Sequence, residues 1–218
     1  MAGCRVPWSS DLYLSPSKTI KSRRGRPPGT DGEATRRIIL DVALQQFAEL
    51  GFSSATLSKV AELAGITPSA MYYYYDSKSA LFEAVFFDVA PKQWKTIGPM
   101  VEDSSSVREV LETLFRSRGG QRPPYVSKFM ASLPTVAKLH PEFSHLLKAR
   151  AEFQAEGFSL IAKMGVDNGE FEGFTIDEAT EVIRTIVIGW FFERYLVGED
   201  QDSSIEPLLK AFDRIIGR

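Results

Sequence analysis

The sequence is poor in the residues that build disulfide scaffolds and metal sites. It has one cysteine, Cys4, and two histidines, His140 and His145, in 218 residues. A single cysteine cannot form an internal disulfide, which excludes a disulfide-stapled secreted fold and predicts a cytoplasmic protein. The two histidines are five residues apart, which does not bring two imidazoles together on one helix face. We therefore expect no metal and no cofactor.

The chain also lacks the patterns of an enzyme, a β-sheet and a membrane span. It has no glycine-rich phosphate loop, nucleophile motif or paired acid–base constellation, so we expect no enzymatic activity. No segment alternates apolar and polar residues in the manner of a strand, which predicts an all-α fold. The most apolar run, residues 182–197, is too short to cross a bilayer and contains Arg184, Glu193 and Arg194.

Charge is distributed unevenly, although the net charge is only −2. Residues 1–80 carry ten Lys and Arg against seven Asp and Glu, whereas residues 81–218 carry 16 against 21. A nucleic-acid partner would therefore bind the N-terminal part. Hydrophobic residues make up 44% of the chain, enough for a substantial core in one or two domains.

Residues 56–78, TLSKVAELAGITPSAMYYYYDSK, predict two short helices joined by a glycine turn. Thr56 is a typical N-cap, and Gly65 supplies the positive φ that a sharp turn between helices requires. Thr67 then caps the second helix, with Pro68 at its first position. Because this helix begins with small side chains and ends in four tyrosines, it suits entry into the DNA major groove.

A longer stretch, from residue 35 to about residue 87, resembles the TetR family of bacterial transcriptional regulators. The pattern is TRRIILDVALQQFAELGFSSATLSKVAELAGITPSAMYYYYDSKSALFEAVF, with the family's first helix, threonine cap, glycine turn, tyrosine and serine-lysine pair in register. Tyr74 and Tyr75 stand where the family often has His-Phe. Asp76 stands where the family often has proline or another small cap, and we expect Asp76 to cap the next helix.

The family motif and side-chain reach together predict the DNA contacts. Pro68, Ser69 and Ala70 are expected at base edges, and Tyr73, Tyr74 and Lys78 at the DNA backbone. We expect Tyr72 to be partly buried against the first helix. The complete predicted DNA-binding set is Arg24, Arg26, Thr56, Thr67, Pro68, Ser69, Ala70, Tyr73, Tyr74 and Lys78.

Residues 1–32 are predicted to be a disordered basic arm. Within the arm, Arg24-Gly25-Arg26-Pro27 looks like the core of an AT-hook. The extended arginines of such an element bind favourably in a narrow minor groove, where the negative potential is concentrated. The alternative is a solvated basic tail that adds only non-specific affinity. We assign residues 33–80 to a three-helix DNA-binding domain, and residues 81–218 to a helical ligand-binding and dimerisation domain.

Apolar spacing predicts further helices outside the helix-turn-helix. Gly51 is expected to end the helix over residues 33–50. Pro91 is expected to end or kink the helix over residues 77–90, and Pro134 to interrupt the helix over residues 125–133. Capping boxes are predicted at Ser106 with Glu109 and at Thr175 with Glu178. The predicted helices span about 33–50, 77–90, 106–118, 125–133, 141–165, 176–197 and 204–216.

The helix over residues 176–197 is apolar nearly all round, and one small domain rarely covers such a helix alone. Thr185 and Gly189 would let a partner helix approach closely. The resemblance implies a homodimer held by a four-helix bundle of the last two helices of each subunit; the alternative is a core helix of a monomer. The predicted interface residues are Thr185, Gly189, Phe192, Leu208, Phe212 and Ile215.

The resemblance also implies a cavity between the helices of the second domain, although most aromatics at helical spacing are simply core. The helix over residues 77–90 is expected to transmit ligand binding to the DNA-binding domain, as the family's fourth helix does. It is the only element expected to connect the DNA-binding domain directly with the second domain. The predicted ligand-binding residues are Phe86, Trp94, Phe115, Tyr125, Phe129, Phe153 and Trp190.

Together these features predict a dimeric repressor that binds double-stranded DNA at a palindromic operator. A small hydrophobic or aromatic effector would release it. One alternative is a regulator of the same fold without a small-molecule inducer, controlled by a protein partner or acting as an activator. Another is a helical small-molecule carrier that does not bind DNA, against which the basic residues ahead of Thr35 argue.

Overall fold

The computed structural model describes residues 30–95, 97–120, 124–197 and 205–215. These ranges contain ten α-helices and no strand, which confirms the predicted all-α fold. None of the described helices is both long enough and apolar enough to cross a membrane. The helices are α1 (Thr30–Ser54), α2 (Leu57–Leu63), α3 (Pro68–Tyr74), α4 (Lys78–Trp94), α5 (Ile97–Asp103), α6 (Val107–Gly120), α7 (Pro124–Leu139), α8 (Ser144–Asp167), α9 (Ile176–Val197) and α10 (Glu206–Ile215), with a short 3-10 turn (Pro141–Phe143) before α8.

We call α1–α3 the head and α5–α10 the body; α4 joins them. Helix α1 begins at Thr30, within the segment predicted to be an arm, and Gly51 breaks it with a φ of +74° before a last turn to Ser54. Its buried face centres on Leu40, Ala43 and Phe47. Ile38 and Leu50 are apolar residues of the same helix but are half-exposed, because the buried face is narrower than the apolar pattern of residues 33–50.

Pro91, predicted to end or kink a helix, and Pro134, predicted to interrupt one, both lie inside helices that continue beyond them. Helix α4 runs past Pro91 to Trp94, and α7 runs past Pro134 to Leu139. A proline removes one backbone hydrogen bond and crowds the preceding turn. At Pro134 the ring is exposed, whereas Val136 and Ala137 just beyond it are buried. Burial on the far side of the proline therefore outweighs the lost hydrogen bond.

The predicted capping box is complete at α9 and half-formed at α6. At α6 the Ser106 hydroxyl accepts from the Glu109 N–H at 3.2 Å, but the Glu109 carboxylate accepts from the Ser105 N–H at 2.8 Å, one residue earlier than predicted. The Thr175 hydroxyl accepts from the Glu178 N–H at 3.2 Å, and the Glu178 carboxylate accepts from the Thr175 N–H at 2.8 Å, as the predicted box requires. These hydrogen bonds hold the pKa of Glu178 below its usual range. The predicted cap at Asp76 is wrong. Ser77 caps α4, because its extended backbone places the hydroxyl 3.0 Å from the Ala80 N–H.

Head and body meet through five phenylalanine rings, which we call the aromatic junction: Phe47, Phe52, Phe82, Phe129 and Phe143. Phe82 lies at the centre, with ring centroids 5.1 Å from Phe47, 5.0 Å from Phe129 and 4.8 Å from Phe143. Phe52 stacks edge-on against Phe143 at 4.9 Å. The junction thus joins α1 and α4 to α7 and to the turn before α8, so α4 is not the only direct connection between head and body.

Within the body, α8 and α9 form a long hairpin that turns at Gly169, whose φ is +73°. Glu170 follows this glycine and is buried; its carboxylate accepts from the Val107 N–H at 3.0 Å and so caps α6. One turn before the hairpin bend, Gly165 lets α8 approach the start of α6. A Cβ at Gly165 would lie 2.6 Å from Val107 Cγ2 and 2.7 Å from the Phe171 ring.

We expect Gly165→Ala to lower the free energy of unfolding by about 1–3 kcal/mol, because its methyl group overpacks a site bounded by Val107 and Phe171. Urea unfolding at fixed protein concentration measures the change. Gly32→Ala is the control, since a Cβ there meets nothing within 4 Å and alanine favours a helix. Equal midpoints for the two variants would contradict this packing.

Candidate DNA-binding site

The head contains a helix-turn-helix whose turn and caps match the sequence prediction. The Thr56 hydroxyl accepts from the Lys59 N–H at 3.2 Å and begins α2. Gly65 has a φ of +70° at the corner, where other residues would be strained. The Thr67 hydroxyl accepts from the Ala70 N–H at 3.1 Å and begins α3, with Pro68 in its first turn. Local chemistry therefore fixes the geometry of the turn.

Helix α3 is held in place by one face and presents the other to solvent. Met71 and Tyr75 are buried and lie four residues apart, on the side that packs against the core. Tyr72 and Tyr73 are 59% and 80% exposed. The prediction that Tyr72 is partly buried is wrong, because Met71 and Tyr75 define the inner face and Tyr72 lies about a quarter turn away from Met71.

The residues predicted at base edges lie at the open end of α3. Pro68 and Ser69 are exposed, and Ala70 is partly exposed. Thr56 and Thr67 are also exposed, although both hydroxyl oxygens are used in capping. Small side chains at a helix N-terminus let its backbone approach a groove closely, and free N–H groups there favour anions such as phosphate.

The predicted backbone contacts differ in their surroundings. Tyr73 projects into solvent, whereas Tyr74 is partly buried, with its ring edge-on to Tyr73 at 5.4 Å. Lys78 has a structural role that the sequence did not reveal. Its Nζ donates to the Ser53 carbonyl at 3.0 Å and lies 4.6 Å from the centre of the Phe52 ring. Lys78 therefore ties the start of α4 to the end of α1.

Other predicted site residues fall in three places. Arg24, Arg26 and the side chain of Trp94 lie outside the described residues. Tyr125 is partly buried. The remaining predicted ligand residues are all buried, but the ring contacts divide them, since Phe129 belongs to the aromatic junction and Phe115 packs on Trp190 at 4.5 Å. These buried residues are Phe86, Phe115, Phe129, Phe153 and Trp190.

One residue predicted at the dimer interface is buried within its own chain instead. Phe212 is only 1% exposed and packs edge-on against Phe171 at 5.9 Å, so it belongs to the core of its own protomer. The strong apolar stripe of α10 is thus largely used within the chain, and Leu208 is partly buried with it. The other predicted interface residues are exposed at the surface: Thr185, Gly189, Phe192 and Ile215.

Sequence reasoning missed Phe143. It falls within the helix predicted over residues 141–165, but it lies in the 3-10 turn before α8 and is fully buried between Phe52 and Phe82. The signal that could have found it is Pro141, which begins a tight turn and places an aromatic residue just ahead of a helix. Which rings such a residue meets cannot be read from local sequence.

Comparisons with known proteins agree with this geometry. Residues 39–85, which span most of the head and the first half of α4, match the model of the bacterial regulatory proteins of the tetR family. The uncharacterised HTH-type transcriptional regulator YdeS of Bacillus subtilis is 26% identical over 196 residues, 87% of this chain and 92% of YdeS.

Two further proteins are similar over much of the chain. The HTH-type transcriptional repressor KstR2 of Rhodococcus jostii is 26% identical over 66% of this chain and 73% of its own length. A protein from Saccharomonospora viridis, solved in complex with choline, superposes with a TM-score of 0.68 at 16% identity, over 85% of this chain and 96% of its own. Residues 39–85 thus match the helix-turn-helix DNA-binding domain of the TetR family, and the chain as a whole resembles TetR-family transcriptional regulators.

We expect Lys78→Ala to weaken binding to all duplex sequences by a similar factor, because its ammonium group is predicted to contact phosphate and not bases. The slope of log K against log salt concentration should fall in magnitude by about one. Fluorescence anisotropy with several duplexes at graded salt measures both quantities. Loss of the Ser53 contact should also lower the melting temperature.

Lys163→Ala is the control for this variant, since it removes one positive charge from the exposed face of α8. It should leave the salt slope unchanged. A change in the preferred base sequence of Lys78→Ala, with no change in slope, would overturn the phosphate assignment.

Proposed function

We propose that this chain is a homodimeric repressor of the TetR type that binds a palindromic operator and leaves it when a small apolar ligand enters the body. The observation that carries the proposal is that the chain presents two separate exposed surfaces. One is the exposed end of α3, and the other is an exposed stripe on α9. Both are held by buried cores, so neither needs to rearrange in order to bind.

The DNA part of the proposal follows from the exposed side chains of α3. Pro68, Ser69 and Ala70 would face base edges, and Tyr73 and Lys78 would contact phosphates on either side. Tyr72, which is exposed beside Tyr73, joins the candidate backbone contacts. The arm with Arg24 and Arg26 would follow the adjacent minor groove.

The dimer part rests on α9. Ile183, Val187 and Trp190 face the core of the body. Thr185, Gly189 and Phe192 are spaced four and three residues apart, so they form one exposed stripe on another face of the helix. A Cβ at Gly189 would meet nothing within 4 Å. An apolar stripe with a glycine at its centre would allow a second α9 to approach closely, and a two-fold axis there would pair two heads.

The ligand part is supported by the relatives and by the body. KstR2 is named a repressor, and the protein from Saccharomonospora viridis was solved in complex with choline, so a protein of this fold can bind a small molecule. In this chain the body is rich in buried aromatic side chains, including Phe115 and Trp190 in contact. We assign residues 81–218 to ligand binding and dimerisation and residues 33–80 to DNA binding.

A ligand can release DNA only if it binds the two arrangements of the protein with different affinity. Two connections would transmit that difference. One is α4, which carries Phe82 and Phe86, and the other is the turn carrying Phe143, which packs on Phe52 of the head. A shift of α8 would therefore reach the head through the aromatic junction as well as through α4.

We expect Gly189→Leu to convert the dimer to monomer at micromolar concentration, because a leucine at the centre of the stripe would force the two α9 helices apart. Each overpacked site typically costs about 1–3 kcal/mol, and the two-fold axis doubles the cost. The monomer should remain folded, since the position has open space and leucine favours a helix more than glycine.

Sedimentation velocity and circular dichroism of the same samples test this expectation. Gly189→Ala is the matched control: it makes the same change in helix propensity but adds only one methyl group, and it should sediment as the dimer. A Gly189→Leu protein that sediments like the wild type would place the dimer contact elsewhere.

A further inference from the structure

Helix α8 carries one charged residue on an otherwise apolar inner stripe. Leu146, Arg150, Phe153, Gly157 and Ile161 follow one another at spacings of three and four residues, which places them on a single face. The other four are buried, and Arg150 is partly buried. Helix α8 packs against α4, α5, α7 and α9. The stem of Arg150 therefore enters the body along the same face as the core residues.

Arg150 differs from the arginines that are paired in the body. Arg108 pairs with Asp213, Arg116 with Glu112 and Arg184 with Glu181. Arg150 has no hydrogen bond or ion pair within the described part of the chain. Removal of its guanidinium from water lowers its pKa, and no carboxylate among the described residues offsets that effect. A partly buried charge without a partner is costly unless something supplies the partner.

We propose that Arg150 binds the oxyanion head of an amphipathic effector, whose apolar tail lies among the aromatic side chains of the body. This inference rests on the proposed ligand-binding role of the body and names the chemistry of its ligand. The planar guanidinium fork binds carboxylate and phosphate oxygens in pairs, and such charge-assisted hydrogen bonds gain strength away from water. Phe153, one turn along from Arg150, would contact the first part of the tail.

Isothermal titration of the wild-type protein with three ten-carbon probes tests the proposal: decanoate, decyl phosphate and 1-decanol, each below its aggregation limit. We expect at least one anionic probe to bind about 10- to 100-fold more tightly than the neutral alcohol. Preference for decanoate would identify a carboxylate head, and preference for decyl phosphate a phosphate ester. Equal affinity for all three probes, or no binding of either anion, would overturn the proposal.

Variants on α8 distinguish a ligand-binding role of Arg150 from a purely structural one. Arg150→Gln should lose the preference for the anion yet melt no lower than the wild type, because it removes an unpaired and partly buried charge. Arg150→Lys should keep part of the preference. Lys148→Gln removes a charge from the exposed side of the same helix, where the side chain is 82% exposed, and should behave as the wild type. An Arg150→Gln protein that melts lower and still prefers the anion would show a purely structural arginine.

Release of DNA is measured separately, so the two proposals fail independently. If decanoate binds through Arg150 but leaves DNA affinity unchanged, the ligand inference stands and the proposed release mechanism is wrong. If 1-decanol binds as tightly as decanoate and releases DNA, the release mechanism stands and the role of Arg150 is wrong.

Discussion

The arrangement of this protein depends on the aromatic junction. Phe82 at its centre contacts rings from α1, α7 and the turn before α8, and it is almost completely buried. Protein interiors are packed as densely as organic crystals, so neighbouring rings cannot move independently. The junction therefore fixes the angle at which the head leaves the body. Because two elements of the body contribute rings, a displacement of either one would reach the head through its own ring contact.

This constraint explains how a very small reading element works. Helix α3 has seven residues, too few to be stable alone. Met71 and Tyr75 hold it against the core, while the threonine caps and Gly65 set its direction. The outward face of α3 does not pack against the core, so its side chains are available to contact DNA. The same division is repeated on α9, where one face packs in the body and another is open around Gly189.

The features of the fold that depend on local interactions could be predicted from the sequence. The caps at Thr56, Thr67 and Thr175 and the turn at Gly65 depend on residues within four positions, and all were predicted. Features set by distant parts of the chain were not. The continuation of α7 through Pro134, the place of Phe143 and the burial of Phe212 depend on which helices meet in space. Periodicity identifies an apolar face but not its partner, which is also why the predicted ligand residues Phe129 and Phe115 lie in separate ring clusters.

In the proposed homodimer, two copies of this chain hold their α3 helices at a fixed separation. Selection of bound duplexes from a random pool tests this arrangement. A rigid two-fold dimer should enrich an inverted repeat whose half-site centres are about one helical turn apart, or a multiple of it. A pool with no enriched sequence, or one enriched only in single half-sites without fixed spacing, would contradict the account.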